Sequence, residues 1–148
     1  MRWHYTVAAQ TDVGTTKTVN QDSLTVKVAN TLCGEAAFAV MCDGMGGLEQ
    51  GEVASSIVVR TYEQWFLREL PQLLSKGFSE VRLKQIWYRL ANECNERVRD
   101  YGRGRMTMGT TLTALLLLEG RYYISHVGDC RVYVMGNGME QLTVDQTY

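Results

Sequence analysis

The chain has 148 residues, enough for one domain with a real core and short for two. Its composition, 45% hydrophobic and 21% charged with a single proline, excludes a disordered chain. A net charge of −1 gives no long-range pull toward nucleic acid or an anionic membrane.

In chain order, Met1 to Tyr5 leads into polar residues and not into the apolar core of a secretory signal. Tyr5 to Thr11 reads as a strand, followed by a turn at Asp12-Val13-Gly14. Asp22 to Val28 alternates with period two, a half-buried strand. Ala36 to Cys42 is apolar throughout and predicts a strand buried on both faces, stopping at a glycine-rich turn, Asp43-Gly44-Met45-Gly46-Gly47. From Glu52 to Leu70 the residues Val53, Ala54, Ile57, Val58, Tyr62, Trp65 and Phe66 share one helical face, and Pro71 closes that helix. Leu83, Ile86, Trp87, Leu90, Cys94, Val98 and Tyr101 repeat the pattern from Ser79, an N-cap, to Gly102, a C-terminal stop. The short Pro71–Gly77 connection predicts an antiparallel helical hairpin.

After a basic loop at Arg103-Gly104-Arg105, Thr110 to Leu118 and Arg121 to Val127 flank a two-residue turn, Glu119-Gly120. Cys130 to Met135 and Met139 to Leu142 flank a second hairpin signal, Gly136-Asn137-Gly138. Strands, a helix pair, then strands imply an α+β protein, one domain over residues 1–148, with a mainly antiparallel sheet and helices on its face. The apolar runs, such as Ala114 to Leu118, are far too short to cross a bilayer. Cys33, Cys42, Cys94 and Cys130 contain no CxxC pair; they read as free thiols of a reducing cytoplasm, with little support for zinc.

Three carboxylates could carry chemistry. Asp43 ends a strongly apolar strand before three glycines in four residues, where backbone can approach a ligand closely. Carboxylate, carbonyl and water oxygens are what Mg²⁺ and Mn²⁺ prefer; taken alone, however, Asp43 reads first as a cap on backbone N–H groups of a strand-to-helix turn. Asp22, after Asn20-Gln21, begins another strand, and if the two strands pair, Asp22 and Asp43 lie at one end of the sheet. Clustered carboxylates repel unless a cation or a proton intervenes. Asp129, in a tight turn, is the third candidate, with Arg131 or a backbone amide as its alternative partner. His126, on a strand, reads as a packed or edge-facing histidine.

Five segments, Thr18-Val-Asn-Gln-Asp22, Asp43-Gly-Met-Gly-Gly47, Gly109-Thr-Thr111, Val127-Gly-Asp-Cys-Arg131 and Leu142-Thr-Val-Asp-Gln146, occur in the order and approximate spacing of the metal-dependent PPM (type-2C) Ser/Thr protein phosphatases. The chain resembles the N-terminal part of that domain in its bacterial form. The resemblance implies an α-β-β-α sandwich of antiparallel sheets flanked by helix pairs, incomplete at the C-terminus. It implies two Mn²⁺ or Mg²⁺ ions, three in some members. Asp43 would bridge the ions and the Gly44 carbonyl would ligate one. Asp22, with Gln21 beside it, would hold metal-bound waters, and Asp129 would help bind a third ion. Gly109-Thr110-Thr111 would be structural.

The implied reaction is in-line attack of a metal-activated water on the phosphorus of phosphoserine or phosphothreonine in a phosphorylated protein, in a cytoplasmic pathway opposed by a Ser/Thr kinase. No nucleic acid or membrane partner is implied. Lys17 stands where many members grip the phosphate with arginine, keeping the charge without the bidentate fork. Met45 stands where eukaryotic members often have histidine. The family's later metal carboxylates have no counterpart before Tyr148, and Asp145 does not match a direct ligand. The expectation is therefore little or no activity for the isolated 148-residue chain, the alternative being a non-catalytic phosphatase-like binding or regulatory module.

Overall fold

A computed structural model describes residues 2–47, 50–103 and 108–147. β1 (Asp22–Thr31) and β2 (Gly34–Gly46) form an antiparallel hairpin that runs without a bulge from Thr31↔Gly34 to Asp22↔Asp43. β3 (Met108–Thr110) and β4 (Leu112–Leu118) both pair with β2 in one unbroken register, Gly44↔Thr110 and Met41↔Thr113. β5 (Arg121–Val127) returns antiparallel to β4 through Glu119 and Gly120, both at positive φ (52° and 74°), as the tight hairpin turn demands. The sheet order is β1-β2-β4-β5, with β3 extending the β4 line along β2. β6 (Tyr133–Met135) and β7 (Met139–Gln141) make a separate two-stranded sheet. The architecture is α+β and antiparallel, as the sequence implied. Of the α-β-β-α sandwich, the described residues form one helical layer on one five-stranded sheet, plus this small hairpin.

Alternation along the strands decides where the core sits. Ala36, Phe38, Val40 and Cys42 of β2 and Leu112, Ala114, Leu116 and Leu118 of β4 point to one face, and all are buried. α1 (Gln50–Gln64) covers them with Ala54, Val58 and Tyr62, and α3 (Glu80–Gly102) with Leu83, Trp87, Leu90 and Cys94. Phe38 is the hub: its ring stacks on Phe66 at 5.1 Å and lies 5.6 Å from Trp65 and 6.3 Å from Trp87. Burial pushes the Cys42 thiol up to about 12, so this cysteine is an inert apolar filler.

Several sequence expectations change. Ala36–Cys42 is buried along its whole length on the helix face, whereas on the other face burial falls from Ala37 (5% exposed) to Met41 (51% exposed). That second face is apolar, with Leu24, Val26, Ala39 and Leu115 lining a groove of about 470 Å³ under residues 6–10. Tyr5–Thr11 is no strand: its backbone has no ladder partner among the described residues. It is tethered instead by the Tyr5 N–H to Glu35 Oε1 (2.7 Å), by His4 to Glu35 (2.9 Å) and by the Trp3 ring against Gly120.

The helical changes have local causes. Pro71 does not end the first helix. One turn of π-helix (Trp65–Glu69), in which the Leu70 N–H bonds Trp65 O, widens the coil just before the proline, and α2 (Leu70–Ser75) continues. A widened turn relieves the clash that a proline ring makes with the preceding turn. Gly102 is the last helical residue of α3, and the left-handed cap is Arg103 at φ 45°. Residues 104 and 105 of the expected basic loop lie outside the described residues. Ser79 caps α3 as expected, its hydroxyl accepting from the Arg82 N–H (3.4 Å). Contacts such as Glu69–Arg89 and Thr61–Arg97 run in opposite directions along the pair, so the hairpin is antiparallel.

Phe38→Ala should cost roughly 3–5 kcal/mol of folding stability in denaturant titration, because it empties the centre of the aromatic cluster. Tyr88→Ala, on the exposed side of α3, should stay within about 0.5 kcal/mol.

Candidate metal centre

The site forms where β1, β2 and β4 share one row. Asp22 is the cross-strand partner of Asp43, and the continuous β2 register puts Thr111 opposite Asp43 on its other side. The Asp43 N–H donates to Thr111 Oγ1 (2.8 Å), and the Thr111 N–H donates to Asp43 O (3.0 Å). With both Asp43 backbone groups turned toward Thr111, Asp22 and Asp43 form a non-hydrogen-bonded pair, the closer kind, with Cα atoms about 4.5 Å apart. Cys42 faces the helices, so Asp43 and Asp22 face the opposite, open side.

Asp43 therefore lies inside a strand and not in a turn, since β2 runs on to Gly46 against β3. The glycines serve close packing. A Cβ on Gly44 would fall 2.0 Å from Gly51 O, and one on Gly51 would fall 2.8 Å from Gly44 C. The α1 N-terminus thus lies directly against the strand behind the carboxylates. Ser55, fully buried, fixes it there by donating to Gln21 O (2.7 Å) and standing 2.9 Å from Ser23 Oγ. The Gly44 N–H donates to Gln21 O (3.1 Å), so by strand alternation its carbonyl also turns to the β1 side, where no Gln21 N–H bond answers it among the described residues. The Gln21 amide donates to Gly46 O (2.9 Å), bracing the same strand.

Asp129 follows Gly128, whose φ of 112° favours glycine and whose missing Cβ leaves room for Thr111 (2.5 Å from Cγ2). The Leu142–Gln146 segment clamps this loop: Gln146 N–H to Gly128 O (2.7 Å), Gly128 N–H to Gln146 Oε1 (3.3 Å) and Val132 N–H to Thr143 Oγ1 (3.1 Å). Arg131 pairs with Asp145 and not with Asp129, holding the Asp145 carboxyl below the usual range. The Arg131 pairing offered as the alternative reading of Asp129 is thus not made. His126 lies between Thr113 Oγ1 (2.9 Å) and Val144 O (3.1 Å), a packed histidine as read from its strand position.

Electrostatics mark Asp43 as the focus. Partial desolvation first, then hydrogen bonding and charge repulsion from Asp22, raise its carboxyl above the ordinary range; Lys17 opposes the shift and Asp129 adds to it. Lys17, Asp22 and Asp129 thus all act on Asp43. The Cys130 thiol, 3.3 Å from Thr111 Oγ1, is raised by burial and by the charges of Asp43, Asp129 and Asp22, which keeps it protonated and the donor set all oxygen. Neighbouring carboxylates on the open face, with the Gly44 carbonyl turned toward β1 beside them, suit a hard divalent cation, so the residues present fit one. Among the described residues no three Asp, Glu, His or Cys side chains gather tightly enough to hold an ion by themselves.

The sequence profile of Protein phosphatase 2C matches residues 11–147. The chain belongs to the protein phosphatase 2C family. Among relatives, the Serine/threonine phosphatase stp of Listeria innocua is 34% identical over 115 residues, 74% of this chain and 43% of its own length. Serine/threonine protein phosphatase PstP of Mycobacterium tuberculosis is 32% identical over 143 residues, 95% of this chain and 25% of its own. The chain thus spans less than half the length of either. Serine/threonine phosphatase Stp1 from Staphylococcus aureus superposes with a TM-score of 0.73 at 28% identity, over 98% of this chain and 56% of that one. The catalytic domain of PstP in complex with 2 manganese ions gives 0.71 at 29%, over 95% and 56%. These protein phosphatase 2C structures bear out the fold class read from the sequence.

Sequence reasoning missed Gly51 and Ser55 as positioning residues and treated Thr111 as merely structural. A small-residue strip at i, i+4 beside Ala54, on an otherwise large apolar helix face, was the available signal.

Because the folded-state pKa of Asp43 lies above its unfolded value, ionising it costs folded stability. That cost is complete above the raised pKa and absent below the ordinary one. In metal-free buffer at neutral pH, Asp43→Asn should therefore stabilise the chain, by roughly 0.2–1 kcal/mol, the scale of like charges facing across strands. Thermal melts at stepped pH should show that gain fading as acid protonates the wild type.

Proposed function

We propose that the protein is a divalent-cation-dependent phosphatase acting on phosphoserine and phosphothreonine of phosphorylated proteins. The observation that carries this reading is the register pair Asp22↔Asp43, two carboxylates held face to face at the open end of an apolar sheet. Names of the relatives, serine/threonine phosphatases, supply the substrate class. Mn²⁺ is the first choice of ion, from the manganese-bound PstP catalytic domain, with Mg²⁺ the other.

When bound, such cations neutralise phosphate charge and acidify water. The chain's own residues do the rest. Asp43 and the Gly44 carbonyl would hold the ions, and Asp22 would orient their water. Gln21 keeps Gly46, and with it the strand, in place. Asp129 would serve a further ion at the rim. Lys17, close enough to act on Asp43, would receive the substrate phosphate as a point charge. Since no three ligating side chains converge among the described residues, the 148-residue chain alone should hold ions weakly and turn over little. A cytoplasmic role opposite a Ser/Thr kinase fits the four free thiols. No described helix is long and apolar enough to cross a membrane.

Calorimetric titration with Mn²⁺ should show binding that Asp43→Asn weakens roughly tenfold or more. Any turnover of a phosphothreonine peptide should vanish with EDTA and with the same substitution. Lys17→Ala should not weaken Mn²⁺ binding, since it removes a positive charge near Asp43, and should raise KM about tenfold, the loss of one charge-assisted contact. Turnover indifferent to EDTA would overturn the proposal.

A further inference from the structure

Charge is unevenly shared on the helical layer. The π-turn and α1 on one side and α3 on the other enclose a groove of about 860 Å³ lined by Arg60, Arg68, Arg97 and Arg103. Across Glu69, which borders both, a second groove of about 500 Å³ continues the seam toward the α2–α3 connection, lined by Lys76, Arg82 and Arg89. Seven of the fifteen Lys and Arg thus line one seam, against three of the sixteen Asp and Glu (Glu69, Glu93 and Asp100). The seam has an excess of four positive charges in a chain of net charge −1, which leaves the remainder five units negative.

Two of those three acids are already engaged: Glu93 by Arg97, and Glu69 by Arg89 at 3.9 Å. Arg60, Arg68, Arg103, Lys76 and Arg82 form no ion pair among the described residues. Between the cations lie apolar groups, half-buried Ile57 and 58%-exposed Tyr101 in one groove and half-buried Ile86 in the other, above the buried Leu90 and Leu73. Two backbone irregularities border the same seam. The π-turn contains Arg68, and a left-handed cap, where glycine is the unstrained choice, is occupied by Arg103.

We infer that this seam is a docking surface for an acidic amphipathic segment of a partner protein, carboxylates on the guanidinium forks and apolar side chains on the floor between the helices. A polynucleotide is the poorer occupant: its phosphates would use the arginines but not the apolar floor, and the negative remainder of the chain repels it. The seam lies on the outer side of the helices, while Asp22 and Asp43 face the other side of the sheet. A docked partner therefore leaves the carboxylates uncovered, and the inference stands apart from the phosphatase reading.

The test is fluorescence anisotropy of a labelled amphipathic Glu/Leu peptide with the 148-residue chain, at low and at physiological salt. The expected result is saturable micromolar binding that weakens with salt, falls about tenfold or more in Arg60→Glu/Arg68→Glu, and is unchanged in Lys84→Glu, on α3 outside the seam. Asp43→Asn should bind the peptide like wild type. Should circular dichroism show the double reversal misfolded, Arg60→Gln/Arg68→Gln replaces it, with a severalfold loss expected. Absence of binding at low salt, an equal loss in Lys84→Glu, or displacement of the peptide by a lower concentration of single-stranded oligonucleotide would each overturn the inference.

Discussion

Two aspartates meet across a β-ladder, and much of this structure is arranged to keep them there. Like charges opposite one another in a non-hydrogen-bonded pair are unfavourable, so something else must fix the register. That something is the apolar length of the sheet. Asp22 cannot slip by one residue from Asp43 without turning β1 over, which would take Thr25 from the helix side and Leu24 and Val26 from the groove on the other face. Partial burial and the neighbouring Asp22 hold the Asp43 carboxyl above its ordinary range, and a divalent cation would offset both. Packing on both faces of the sheet thus maintains a local repulsion that a hard cation would relieve.

Around that pair the chain builds a scaffold from short contacts. Thr111 grips both backbone groups of Asp43, touches Cys130 and fills the space a Gly128 side chain would need. Gly44 and Gly51 let helix α1 lie against the strand, and Ser55 closes the contact onto Gln21. The last motif, Leu142 to Gln146, touches none of the three aspartates by hydrogen bond among the described residues but secures the loop that presents Asp129. Motifs far apart in sequence are thus parts of one row across the sheet, Asp22, Asp43, Thr111 and Gly128.

Much of this was legible beforehand, for identifiable reasons. Period-two alternation marked β1, the two-residue turn at Glu119-Gly120 marked the β4–β5 hairpin, and helical periodicity marked α1 and α3. What escaped was tertiary. Asp43 to Gly46 looked like a turn because glycines usually end strands, whereas here they admit a helix. Pro71 looked like a stop because a π-turn that accommodates it leaves no signature in the apolar pattern. Tyr5 to Thr11 has strand composition, but a strand needs a neighbour's backbone, and no described segment supplies one. The three candidate carboxylates were found by residue type and spacing; the threonine, serine and glycines that position them were not, because their roles lie in close approach and hydrogen bonding.

Whether a cation sits on the row beginning with Asp22 and Asp43 decides the rest. Anomalous diffraction at the manganese edge, from crystals of the chain soaked in Mn²⁺, addresses it directly. The expected result is a peak about 2.2 Å from an Asp43 carboxylate oxygen, on the open face of the sheet and on the β1 side of Gly44. Manganese bound elsewhere on the molecule, with bare density between the two aspartates, would contradict it.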